Sequence, residues 1–244
     1  MKKGTLQQIL LITDGYSNEG EDPTAVATLA QQSGITVNVI GVLDDGEKQP
    51  SGLKEIEEIA HCGGGMSQIV LKESLSQTVQ MVTKQAMNQT IQGFVNEELT
   101  NILGEDREMI DIEPEKRAEL MEVVEELEET CNLEVLVLVD TSASMSSKLE
   151  TVKEALIDLS MSLNAREGKN MFSIYRFPSK RKYVERIYKW SNQLETISAV
   201  FPKLTSGGIT PTGPALQEAM KQLSKRATRR RRDEDDYGIE EAWG

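Results

Sequence analysis

Short, unbroken apolar runs alternate along the chain with longer stretches in which apolar residues recur every three or four positions. The runs at 8–13 (QILLIT), 35–42 (ITVNVIGV) and 133–139 (LEVLVLV) are rich in Ile, Leu and Val and are bounded by Gly, Asp or Asn. Runs of this length and make-up predict strands buried on both faces, as in a parallel sheet. Weaker strands are expected at 67–71, 171–177 and 183–190. The last two alternate in polarity around Pro178 and a basic segment, as a hairpin does. Helical spacing covers 23–32, 52–60, 75–87, 149–163, 194–204 and 215–223. It is clearest at 149–163, where Leu149, Val152, Ala155, Leu156 and Leu159 share one face. Strands alternating with helices predict an α/β fold: a doubly wound, mostly parallel sheet flanked by helices.

Charge divides the chain further. Of the net −13, the stretch 97–129 carries −11, with fourteen acidic residues against Arg107, Lys116 and Arg117. After Pro114, which suits a first helical turn, Leu120, Val123, Val124 and Leu127 take helical spacing. An acidic helical connector is therefore expected at 88–131, its charge a solvated face or a docking surface. At the C-terminus, six basic residues at 225–232 are followed by six acidic ones at 233–241. Like-charge blocks of this kind predict a disordered tail at 225–244. Acidity overall, and a basic block without interleaved aromatics, argue against nucleic-acid binding.

Composition excludes other classes. No apolar run approaches the ~18–20 residues of a membrane span, and the N-terminus has no secretory apolar region. Two cysteines, Cys62 and Cys131, make no disulfide framework, and a cytoplasmic location is expected. The single histidine, His61, makes zinc–histidine sites and histidine triads poor candidates. Before Gly63-Gly64-Gly65, it reads as the end of a helix with a left-handed glycine cap.

In open α/β sheets, ligands bind beyond the carboxyl ends of the strands. LEVLVLV is followed there by Asp140-Thr141-Ser142-Ala143-Ser144, and QILLIT by Asp14-Gly15-Tyr16-Ser17-Asn18. The helix 194–204 leads into Ser206-Gly207-Gly208-Ile209-Thr210-Pro211-Thr212-Gly213. Asp140, Ser142 and Ser144 alternate, so their side chains can point one way. Thr210 adds a hydroxyl, and Asp14 a second carboxylate if its strand lies beside LEVLVLV. Taken singly, each motif reads as a helix cap, a turn or a strand end. Together they make a set of hard oxygen donors without sulfur or imidazole. That set suits Mg²⁺, with Mn²⁺ or Ca²⁺ as alternatives.

These three motifs together resemble the von Willebrand factor type A (VWA) family and its metal-ion-dependent adhesion site. The family pattern is DxSxS, then a threonine after a GG loop, then an aspartate in a TDGxxN context. The resemblance implies Ser142, Ser144 and Thr210 as direct metal ligands, with Asp140 and Asp14 acting through water. The order departs from the family, because here the TDG strand comes first. Residues 1–87 look like the second half of such a domain and 132–224 like the first, so a circular permutation is expected, with 88–131 as connector. The chain is also similar to small cytosolic VWA proteins of spore-forming bacteria. This likeness implies a sporulation or cell-envelope regulatory role.

The function so implied is divalent-metal-dependent protein binding, completed by an Asp or Glu of the partner, without enzymatic activity. Tyr16 and Met145 are expected to add apolar contact at the rim. Two alternatives belong to other classes. One is a structural metal with docking through the acidic helix. The other is a metal-dependent hydrolase or phosphotransferase, in which Ser142 would need a base such as His61. The permuted halves could also exchange between two chains as a domain-swapped dimer.

Overall fold

The computed structural model describes residues 4–15, 17–44, 52–103, 114–179, 183–192 and 210–240. Six strands form one sheet: β1 (Thr5–Thr13), β2 (Ile35–Leu43), β3 (Gly64–Leu71), β4 (Asn132–Asp140), β5 (Asn170–Phe177) and β6 (Glu185–Ser191). Their order is β3-β2-β1-β4-β5-β6, with every neighbouring pair parallel except β5 and β6. The N-terminal run QILLIT therefore lies beside LEVLVLV, with Ile12 opposite Val139.

Alternation along the central strands supplies two cores. Leu10 and Ile12 of β1, with Val135, Val137 and Val139 of β4, pack beneath α3 (Leu75–Leu103) and α5 (Leu149–Leu163). Ile9, Leu11, Leu136 and Leu138 face the other way. They meet α1 (Pro23–Gln32), α2 (Leu53–Cys62) and α6 (Thr212–Glu240). Each of these residues is at most 1% exposed, as side chains with period two between two helical layers should be.

Several expectations change. The helix begun at 75 runs through residue 87 to Leu103, so part of the expected connector continues α3. In α4 (Pro114–Thr130), Val124 is buried and Leu127 packs against the core, but Val123 faces solvent. Arg166 ties the end of α4 to the sheet: its guanidinium donates to Glu128 O and Cys131 O, and to Asn170 Oδ1. The expected disordered tail is helical as far as Glu240, in continuation of α6. Arg226 and Arg230 pair there with the buried Glu134, which a count of like charges cannot reveal. The helix expected at 194–204 and the glycines at 207–208 lie outside the described residues.

Candidate metal centre at the strand ends

The parallel register of β1 and β4 brings both strands to an end at the same edge of the sheet. Thr13, the last residue of β1, donates from Oγ1 to Asp140 Oδ2 at 2.8 Å. The Ser142 amide donates to the other oxygen, Oδ1, also at 2.8 Å. Each oxygen of Asp140 thus has one fixed donor and keeps further acceptor capacity. Burial pushes the Asp140 carboxyl above the usual carboxylate range, partly offset by these donors. Thr141 pins the start of the loop, donating from N and Oγ1 to Phe177 O at the end of β5.

The chain then makes a short 3-10 turn at Ala143–Met145 before α5. This turn brings Ser142 Oγ to 3.1 Å from Ser144 Oγ. Ser144 Oγ donates to Asp14 Oδ1 at 2.9 Å across 130 residues of sequence. Asp14, Asp140 and Ser142 are buried, and Ser144 is exposed, so the cluster opens to solvent on the Ser144 side.

Thr210 joins by another route. Asn18 accepts from Thr210 N through Oδ1 at 2.8 Å and donates its own amide to Thr210 O at 3.1 Å. Ser17 Oγ adds a bond to the same carbonyl at 3.3 Å. The loop after β1 thereby holds the start of α6. Among the described residues, no hydrogen bond joins the Thr210 hydroxyl directly to the serines or aspartates. Gly213 explains the close fit of the two loops: a Cβ there would stand 1.8 Å from Glu21 O.

The sequence reading missed one residue of the cluster. Lys148, just before α5, is 1% exposed, and its Nζ donates to Asp14 Oδ2 at 2.8 Å. Two carboxylates brought to one site repel one another without a cation, and the protein supplies one to Asp14 itself. A signal was present: Lys148 stands four residues before Val152 and eight before Leu156, on the buried stripe of α5. A charge in that register requires a partner.

Two further expectations are corrected. Met145 is fully buried in the core beneath α5 and offers no rim contact. His61 lies in the last turn of α2, two residues before Gly63, whose carbonyl accepts from Val37 N near the start of β2. It therefore lies at the opposite end of the sheet from Ser142 and cannot act as its base. The left-handed glycine after α2 is Gly64, with φ +62°, one residue beyond the helix cap. Tyr16 lies outside the described residues.

The donor set suits a hard divalent cation. Among the described residues, no group of three or more His, Cys, Asp or Glu side chains could hold a metal. Neighbouring ligands on an octahedral Mg²⁺ at ~2.1 Å stand about 2.9 Å apart. The oxygen separation between the two serines, 3.1 Å for Ser142 to Ser144, is close to that edge.

Comparison with known proteins agrees with this architecture. Two models of the von Willebrand factor type A domain match, one at residues 1–94 and the other at 135–234. The chain is 58% identical over 236 residues to the uncharacterized protein YabS of Bacillus subtilis (strain 168), spanning 97% of this chain and 96% of that protein. A crystal structure of an uncharacterized protein from Alicyclobacillus acidocaldarius is 41% identical. It superposes with a TM-score of 0.84 over 92% of this chain and 96% of that one. With the mostly parallel sheet and both halves of the sequence matched, the chain belongs to the von Willebrand factor type A family.

Proposed function

We propose that the chain is a divalent-cation-dependent protein-binding module and not an enzyme. Ser142, Ser144 and Thr210 would hold a Mg²⁺-type ion directly, and Asp140 and Asp14 would hold it through water. The ion would supply a positive centre open to a carboxylate from a partner protein. The observation that carries this reading is the bond from Ser144 to Asp14. Two chain segments 130 residues apart are folded so that their oxygen donors meet at one open edge.

The permuted order belongs to the same reading. The two family matches, at 1–94 and 135–234, lie on either side of most of the acidic connector, and the Gln7 side chain donates to Leu223 O of α6 at 3.2 Å. A direct link from α6 to β1 would therefore be short. Exchange of the 1–87 half between two chains would build the same site in a dimer. Crosslinking of cysteines at positions 14 and 140 separates the two forms. A sporulation or cell-envelope setting is the cellular part of the proposal, tested by spore yield in a deletion strain. Among the described residues no helix is long and apolar enough to cross a membrane.

The decisive experiment joins stability to binding. Millimolar Mg²⁺ or Mn²⁺ should raise the melting temperature by mass action, and Asp140→Asn should abolish the rise. Partners captured from extract of the source organism should elute with chelator and be lost with Ser144→Ala. Melting curves unchanged by either ion, or capture indifferent to chelator, would sink the reading.

A further inference from the structure

Asp14 divides its two oxygens between different partners. Oδ1 faces the serine cluster through Ser144 at 2.9 Å, and Oδ2 holds the buried ammonium of Lys148 at 2.8 Å. The same Nζ lies 3.9 Å from Asp44 Oδ2. Asp44 is matched separately, by Lys72 at 3.1 Å and by the Ser147 hydroxyl at 2.7 Å. Among the described residues the charges at the cluster are therefore Asp140, Asp14 and Lys148, beside the Asp44–Lys72 pair. Counting Asp140, Asp14 and Lys148 alone, one carboxylate is left over, where the two aspartates without the lysine would make two.

On the reading that this cluster holds a divalent cation, we propose that Lys148 is a positioning residue that sets the charge of the site. Two free carboxylates would neutralise a divalent ion, leaving no electrostatic preference between an incoming carboxylate and a neutral oxygen. With the Lys148 ammonium fixed on Asp14, a bound ion keeps about one positive charge, which an anionic oxygen neutralises and a carbonyl or water does not. Lys148 therefore weakens the hold on the cation and strengthens the selection of an acidic ligand. Burial holds the contact in place. At 1% exposure the ammonium has no water to turn to, and its hydrogen bond keeps it on Oδ2. The same contact holds the Asp14 carboxyl with its other oxygen toward Ser144, so position and charge are set by one side chain.

The test uses the full chain with Mn²⁺ as probe, free Mn²⁺ being measured by electron paramagnetic resonance. Acetate and its neutral analogue acetamide serve as ligands, read by water-proton relaxation of the bound ion. The wild type should bind Mn²⁺ and respond to acetate but not to acetamide. Lys148→Met should bind Mn²⁺ about tenfold tighter or more, and acetate correspondingly more weakly. Because Lys148→Met strands a buried carboxylate, the comparison is repeated in Asp14→Asn. There the second substitution removes an ammonium that has lost its partner, so D14N/K148M should bind Mn²⁺ more tightly than D14N. The decision is read in the first background where both chains fold by circular dichroism. Equal or weaker Mn²⁺ binding on loss of the ammonium overturns the proposal and leaves the metal reading standing. Mn²⁺ binding by Lys148→Met but not by the wild type overturns the proposed function and, with it, the selection of an acidic ligand proposed here. Absence of binding in every chain overturns both.

Discussion

Asn18 and Thr210 bond to each other twice: the Asn18 carboxamide accepts from the Thr210 amide at 2.8 Å, and the Asn18 amide donates to the Thr210 carbonyl at 3.1 Å. The pair spans 192 residues of sequence and joins the loop after β1 to the start of α6. Asn18→Ala removes the side-chain half of this bridge. It should cost about 1 kcal/mol of stability and weaken cation binding by loosening Thr210. Asn18→Asp keeps the acceptor and should retain the bridge. Calorimetric Mn²⁺ titration of the two variants checks this; equal loss in both would mean that the hydrogen bond does not position Thr210.

Gly213 offers a second handle on the same junction. An alanine Cβ at this position would meet Glu21 O at 1.8 Å, backbone against backbone, with no flexible side chain to yield. Gly213→Ala should therefore push the N-terminus of α6 away from the loop after β1, costing about 1–3 kcal/mol. The Asn18–Thr210 bridge should suffer with it. Hydrogen exchange should show faster exchange at the Thr210 amide, while amides in the middle of β4 change only with global stability. Unchanged protection at Thr210 would mean that the loops separate without disturbing the site.

What was legible in the sequence follows from periodicity and from local motifs. QILLIT and LEVLVLV declare themselves because a strand buried on both faces must be apolar at every position. Asp140, Ser142, Ser144 and Asp14 declare themselves because they follow such strands directly. What was not legible is the pairing of buried charges. Lys148 in the stripe of α5 and Glu134 in β4 each break an apolar pattern, but their partners lie 134 and 92 residues away in sequence. Local spacing identifies a residue that needs a partner without identifying the partner. The charged C-terminal block was read as a solvated tail for the same reason.

Glu55 links α2 to the loop after β1, accepting from the Ser17 amide at 2.7 Å. Partial burial pushes its carboxyl above the usual range, and Asp22 and Glu58 add to the shift, while the bond from Ser17 opposes it. Between the ordinary and the raised value the native chain holds a proton that the unfolded chain has released. Stability should therefore fall as pH rises through the window just above the usual glutamate range. Glu55→Gln keeps an acceptor for Ser17 and removes the titration. Urea unfolding of both chains from acid to neutral pH should show the variant gaining on the wild type as pH rises. A constant difference across that range would rule out Glu55 as the cause.

The basic block of α6 makes the last prediction. Glu134 of β4 is 5% exposed; it accepts from Gln7 Nε2 at 2.7 Å and Arg226 Nε at 2.7 Å, and the Arg230 guanidinium pairs with it as an ion at 2.9 Å. Arg226 also lies over the Trp190 ring, 4.5 Å from its centroid. The carboxylate is enclosed, whereas the two arginine side chains keep about 30% of their surface in water. Losing one side of this arrangement should therefore not equal losing the other. Glu134→Ala frees two arginines that can turn to solvent. Replacing Arg226 and Arg230 together leaves a buried carboxylate without a cation and strips Trp190 of its stacked partner. The double arginine variant should be the less stable, and adding Glu134→Ala to it should restore part of the loss. Thermal melting of the four chains at low and moderate salt tests this. If the arginines served a nucleic acid instead, removing them would leave the melting temperature unchanged and alter only polyanion binding. The enclosed geometry around Glu134 predicts the reverse.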